Sequence, residues 1–171
     1  MEEKLHDTNA DCSEDSTRRK IWKTIWQMKT PQKIKHFAWK AGRGILATKS
    51  SLAQRKIIQN STYDLCGQEE TICHLLWTCE HAKEVWKNIK LALLFDISSH
   101  WCFLDVVANL QRYEHLWPRQ LEQFITVCWG IWKNWNDLRM GGKGRAGRTV
   151  LRNAMHLVEE FRATNDGKIE H

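Results

Sequence analysis

The sequence predicts an all-α fold, an irregular helical domain interrupted by one small loop-bound segment. Three observations lead there. Apolar residues recur at spacings of three and four along most of the chain, the period of a helix with one buried face. Only two prolines occur in 171 residues, Pro31 and Pro118, which leaves long stretches free of helix breakers. No convincing pair of strands can be read outside residues 57–70. A hydrophobic content of 42% is enough for a core, and the length suits one domain with tails.

The elements follow in order. Residues 1–15 are acidic and polar, and are expected to be a disordered tail. Ser16 or Thr17 can cap a first helix, whose stripe is Ile21, Trp22, Ile25 and Trp26 and which ends at Thr30-Pro31. A second helix carries Ile34, Phe37, Ala38 and Ala41 and stops at Gly42 and Gly44. Thr48 or Ser50 caps a short helix holding Leu52 and Ala53. An irregular stretch precedes Thr71, whose hydroxyl can cap the next helical pattern. Another helix runs from about His81 through Val85, Trp86, Ile89 and Leu93, and a weakly patterned one is placed near 103–113. The clearest helix follows Pro118, with Leu121, Phe124, Ile125, Cys128, Ile131, Trp132, Trp135 and Leu138 on one face. The run GGKGRAG at 141–147 reads as a flexible basic linker. A last amphipathic helix carries Val150, Leu151, Ala154, Leu157, Val158 and Phe161. The organisation expected is a tail at 1–15, a first domain at 16–95, a helical extension at 96–140, the linker at 141–147, a C-terminal helix at 148–163 and a tail at 164–171.

Charge is unevenly placed. The formal net charge is +6. Residues 1–16 hold six acids against Lys4, whereas residues 17–60 hold twelve Lys or Arg and no Asp or Glu. A basic balance points to a polyanionic partner and says nothing about fold. No run of about 18 apolar residues exists, so no membrane association is expected. The acidic N-terminus does not resemble a secretory signal, and an intracellular protein of nucleus or cytoplasm is expected. Nucleotide transfer needs paired carboxylates that hold two metals, and none is available in 17–60. No Walker loop, dinucleotide fingerprint or nucleophile elbow occurs. The expectation is a protein that is not an enzyme and has no small-molecule substrate.

Three of the six cysteines crowd into 66–79, and with no secretion signal metal binding is favoured over disulfides. Cys66, His74 and Cys79 give C-x7-H-x4-C. Zinc takes thiolate and imidazole ligands in a tetrahedron, and structural sites need four. His74 and Cys79 lie five residues apart, a little over one helical turn, and Cys66 approaches from the preceding turn, aided by Gly67. The bland alternative is that Cys73 and Cys79 are buried small apolar residues.

From Ile21 to Trp86 the residues also follow a family pattern: Trp22 and Trp26, Pro31-Gln32-Lys33-Ile34 with Phe37 and Trp39, Leu46-Ala47-Thr48, Leu52-Ala53-Gln54-Arg55, Cys66-Gly67, Glu70-Thr71, His74-Leu75-Leu76-Trp77-Thr78-Cys79 and Val85-Trp86. This run resembles the reverse-transcriptase zinc-binding domain of plant LINE-type (non-LTR) retrotransposons. The stretch Trp129-Gly130-Ile131-Trp132-Lys133-Asn134 resembles the segment that follows that domain, ahead of a ribonuclease H domain. The resemblance implies a zinc cofactor in a small zinc-knuckle-like segment, with Cys66, His74 and Cys79 as ligands. It also places the family's first cysteine at Tyr63, a poor zinc ligand. Cys73, Asp64, His81 or water is then left to complete the shell; Cys73 is the nearest soft side chain, though about 100° away from His74 around a helix.

The acid-free block supplies the expected contacts to RNA or DNA: Lys29, Lys33, Lys35, Lys40, Arg43, Lys49, Arg55 and Lys56. Such residues neutralise phosphates and release counterions. Each taken alone is more simply the solvated face of a helix. Among the ten tryptophans, Trp22, Trp26, Trp86, Trp132 and Trp135 sit on apolar stripes and are expected in the core; Trp39 and Trp77 lie off the stripes and are the better base-stacking residues. The functional expectation is a non-catalytic, retrotransposon-derived zinc-binding domain that contacts nucleic acid through a basic face. The alternative is a helical interaction or relic domain without zinc or nucleic-acid binding.

Overall fold

The computed structural model describes residues 7–63, 66–87, 89, 102–112 and 119–168. They form seven α-helices and one π-turn: α1 (Asp7–Gln27), α2 (Gln32–Gly42), α3 (Lys49–Gln54), the π-turn (His74–Thr78), α4 (Glu80–Lys87), α5 (Phe103–Arg112), α6 (Gln120–Arg139) and α7 (Gly147–Asp166). Among the described residues the only strand-like pairing is a single antiparallel bridge, Thr62 to Glu69. The fold is all-α.

Local chemistry explains most boundaries. Pro31, with no N–H to leave unsatisfied, precedes α2 in an extended conformation. Thr48 caps α3 in a reciprocal box: its hydroxyl accepts the Ser51 N–H while the Ser51 hydroxyl accepts the Thr48 N–H, each at 3.1 Å. Lys56 then ends the turn in a left-handed conformation, φ 59°, with Ile57 N donating to Leu52 O. Cys102 N donates to the Asp105 carboxylate at 2.9 Å, which closes the first turn of α5.

α6 is the central helix. It packs on α2, α5, α7 and the π-turn, and Leu121, Phe124, Ile125 and Cys128 are fully or almost fully buried. Trp86 of α4 stacks on Phe124 with ring centroids 5.2 Å apart and donates its indole N–H to Leu76 O at 2.7 Å. Ile21 and Ile25 of α1, Ile34 and Phe37 of α2 and Val106 of α5 join the same apolar cluster, as do Val150 and Ala154 of α7. One core therefore spans the expected first domain, the helical extension and the C-terminal helix.

Several sequence expectations need correction. α1 starts at Asp7, not at Ser16 or Thr17, so backbone 7–15 is helical where a disordered tail was expected. Asp15 meets Arg19 at 3.4 Å one turn on, an i to i+4 pair that supports the helix. The Gly-rich segment 141–147 is not a free linker. Arg145 N donates to Asn134 Oδ1 at 2.8 Å, and a Cβ on Gly144 would lie 2.7 Å from Leu138. α7 begins one residue earlier than expected and runs three residues further, to Asp166. Trp26 is 40% exposed, its ring edge on His36, whereas Trp77 is only 5% exposed. The expected helix through Leu93 and the part of the extension at 96–101 lie outside the described residues after Lys87, apart from Ile89, and so does Pro118.

Candidate metal centre

Residues 61–63 and 68–70 pair as a small antiparallel hairpin. Tyr63 N donates to Gln68 O at 2.7 Å, and Gly67 N returns to Tyr63 O at 2.8 Å. Gly67 has φ +71°, a left-handed conformation that glycine adopts without a Cβ penalty and that turns the chain so Cys66 faces back. Glu70, 1% exposed, anchors the hairpin: its carboxylate accepts the Lys49 N–H at 2.7 Å and its carbonyl accepts Ser50 N at 3.1 Å. The hairpin is thereby pinned to the start of α3.

The second half of the centre is the π-turn. Thr71 accepts the His74 N–H through its hydroxyl at 3.1 Å, as expected of its capping position. The turn then widens: Cys79 N donates to His74 O at 2.8 Å, a bond of i to i+5. In an α-helix, residues five apart point about 140° from one another. The extra residue per turn stacks position 79 over position 74, and this is what makes the H-x4-C spacing converge. The chain is extended at Cys79, which precedes α4 as its cap.

Cys66 Sγ lies 3.0 Å from His74 Nε2, and the ligand atoms of Cys66, His74 and Cys79 all fall within 4.8 Å of one another. A tetrahedral zinc with bonds of about 2.3 Å to sulfur and 2.0–2.1 Å to nitrogen has edges of about 3.5–3.8 Å. The donor set suits zinc, and the separations, 3.0 Å for one pair and within 4.8 Å for all, bracket those edges. His74 Nδ1 is 3.2 Å from the Thr78 hydroxyl; with that nitrogen donating, Nε2 keeps its lone pair toward Cys66. Burial, with Lys83 nearby, lowers the His74 pKa from 6.5, which favours the neutral ring a metal requires. Burial raises the Cys79 thiol above 9.0, while the backbone N–H groups of His81 and Ala82 at the start of α4 pull the other way. Those two N–H groups point at the sulfur and favour its thiolate.

The other sequence candidates are distributed differently. Cys73 does not join the group. It faces Cys102 and Asp105 at the start of α5, and burial there pushes its thiol up to about 11. His81 is exposed and outside the group, and Asp64 lies outside the described residues. Tyr63 is 6% exposed and sets its ring edge on the His74 ring, centroids 5.8 Å apart. Of the basic residues, Lys29, Lys33, Lys40, Arg43, Arg55 and Lys56 are exposed. Lys35 and Lys49 are half-buried, and their ammonium groups donate to Trp26 O at 3.0 Å and Thr62 O at 3.1 Å, so both bind the chain to itself. Glu70 and Thr78 stand in the family pattern, but neither residue type nor period marks the anchoring role of Glu70, the Thr78 contact to His74 or the π-turn. Trp129, placed by sequence only in a run of family resemblance, is held between Lys33 and Lys133, a contact across helices that no spacing within one helix marks.

Comparison with known proteins adds one finding. Residues 5–86 match the family model for zinc-binding in reverse transcriptase. That segment contains Cys66, His74 and Cys79 and ends at Trp86, the residue stacked on α6. No curated protein and no solved structure matches the chain.

Proposed function

We propose that this chain is a non-catalytic zinc-binding domain derived from a retrotransposon of the plant LINE type, and that it contacts RNA or DNA through the exposed cations of its acid-free segment. The observation that carries the reading is the convergence of Cys66, His74 and Cys79 inside a segment matched by the zinc-binding family. The two thiolates and His74 Nε2 would hold the ion, and zinc would supply a cross-link between the hairpin and the π-turn. No helix among the described residues is long and apolar enough to cross a membrane. On this reading the protein acts in nucleus or cytoplasm, and Trp129–Asn134 corresponds to the run that leads toward a ribonuclease H domain.

Lys33, His36 and Lys40 share one stripe of α2, and none of the three is an acid's ion-pair partner within that helix, which holds no carboxylate. Such a stripe suits phosphate contacts that tolerate sequence and respond to salt. A second reading, a relic that has lost zinc, draws on Tyr63: its buried ring packs on His74 where the family has a thiolate.

Metal analysis of the purified chain separates the two. One zinc per chain, with helicity lost on chelation, is the outcome of the first reading. A metal content well below one, with no response to chelator, is the outcome of the second. Affinity for single-stranded and duplex nucleic acid against salt tests the partner; a flat salt response rejects phosphate recognition.

A further inference from the structure

We infer that the cleft that runs from α2 across α6 to α7, centred on Trp129, is a binding groove for single-stranded nucleic acid, with a base stacked on the indole and phosphates on the flanking lysines. The inference rests on the nucleic-acid reading above and extends it to residues beyond the matched segment 5–86. Two adjoining concavities, of about 500 Å³ and 270 Å³, meet at Lys33 and Trp129. Lys33 Nζ lies 4.7 Å from the centre of the Trp129 ring and Lys133 Nζ lies 5.4 Å from it. Trp132 lines the larger hollow and is itself stacked on Trp135, centroids 4.9 Å apart, which holds its plane in place.

The lining chemistry selects the ligand. The larger hollow carries Lys33, His36 and Lys40 and no carboxylate. The smaller adds Lys133 and Arg145, and its one carboxylate, Glu160, faces His156 at 3.7 Å. Cations alone would take any polyanion. Cations that park on an indole face offer more: a phosphate draws each ammonium off the ring, and the freed face receives a base. A duplex keeps its bases stacked inside and cannot make that exchange. An acidic polypeptide has charge and no obligatory π-face.

The test uses the full chain and fluorescein-labelled oligo(U), oligo(dT) and a duplex of equal length. Lys33→Gln with Lys133→Gln changes two exposed side chains remote from the metal cluster, so the fold is retained. It should lower the log–log salt slope for single strands by about 1.4, two contacts at about 0.7 each. Trp129→Ala should weaken single-strand binding roughly tenfold and leave duplex binding unchanged, with Trp129→Phe restoring most of it. If the wild type binds nucleic acid and none of these variants alters it, the groove is refuted and the broader reading stands. If the wild type binds no nucleic acid at low salt, both fall. If poly-glutamate displaces the strand at equal charge concentration, the groove is a general anion site and the inference is overturned.

Discussion

Tyr63→Cys should convert a three-ligand cluster into a four-ligand one. Two opposed effects can be sized. Tyr63 is 6% exposed and packs edge-on against His74, so removing its ring leaves a cavity. Large aromatic to small replacements cost about 3–5 kcal/mol, and the retained sulfur places this one near 3 kcal/mol. A structural zinc contributes about 10–16 kcal/mol through four ligands, or about 2.5–4 kcal/mol per ligand taken evenly. That is a gain of about two to three powers of ten in zinc affinity. The geometry favours it: Gly67 N and Cys66 N both donate to Tyr63 O, so residues 63 and 66 bracket the same tight turn facing His74. The assay is competition for zinc against a chromogenic chelator under reductant, alongside thermal melts with and without metal. The metal-free variant should melt below the wild type, and its zinc-induced rise should be the larger of the two. A well-folded variant whose zinc affinity stays within a few-fold of wild type would refute the placement of position 63 at the metal centre.

Other outcomes are equally specific. Cys79→Ser should lower zinc affinity by at least about 100-fold, by chelator competition, because it removes one of the three ligands and one of the two thiolates. Phe124→Ala should destabilise by about 3–5 kcal/mol in urea unfolding, since Phe124 is fully buried and carries the Trp86 stack. Gly147→Val should cost about 2–3 kcal/mol, because a Cβ there already lies 3.1 Å from the backbone of Glu84 and Val85. Burial holds the Cys128 thiol well above 9.0, so the folded state stays neutral while the unfolded chain ionises; its contribution is complete below pH 9 and is lost as pH rises. Between pH 8 and 10 the wild type should lose about 1 kcal/mol more than Cys128→Ala, read from paired urea titrations; equal losses would contradict the burial of that thiol.

Much of the architecture was legible because helix periodicity is strong here. The stripes of α2, α6 and α7 and the Thr48 and Thr71 caps follow from spacing and hydroxyl chemistry alone. The ligand trio was legible from residue type. Its convergence was expected on an ordinary helical turn; five-residue spacing fails on an α-helix, and the wider turn after Cys73, which no residue type announces, is what brings the ligands together. The tryptophans divided wrongly for a related reason. Trp77 lies off an α-helical stripe, yet the π-turn rotates it into the core. Trp26 sits on a stripe, but at the end of α1, where α2 turns away and leaves it partly in solvent. The Gly-rich segment reads as flexible by composition; its glycines instead allow close approach to α6.

The seat of α7 on α4 has a consequence for where this domain can be cut. Gly147 lets the start of α7 touch the backbone at Glu84 and Val85, one turn beyond the N–H groups that face Cys79. The segment recognisable by similarity stops at residue 86, on the near side of that contact. Similarity and folding therefore draw different borders. A unit excised at the first would carry every ligand and leave Trp86 without its stacking partner. The seating of the helix beside Cys79 then depends, through backbone packing, on a glycine some sixty residues downstream that is no part of the ligand group.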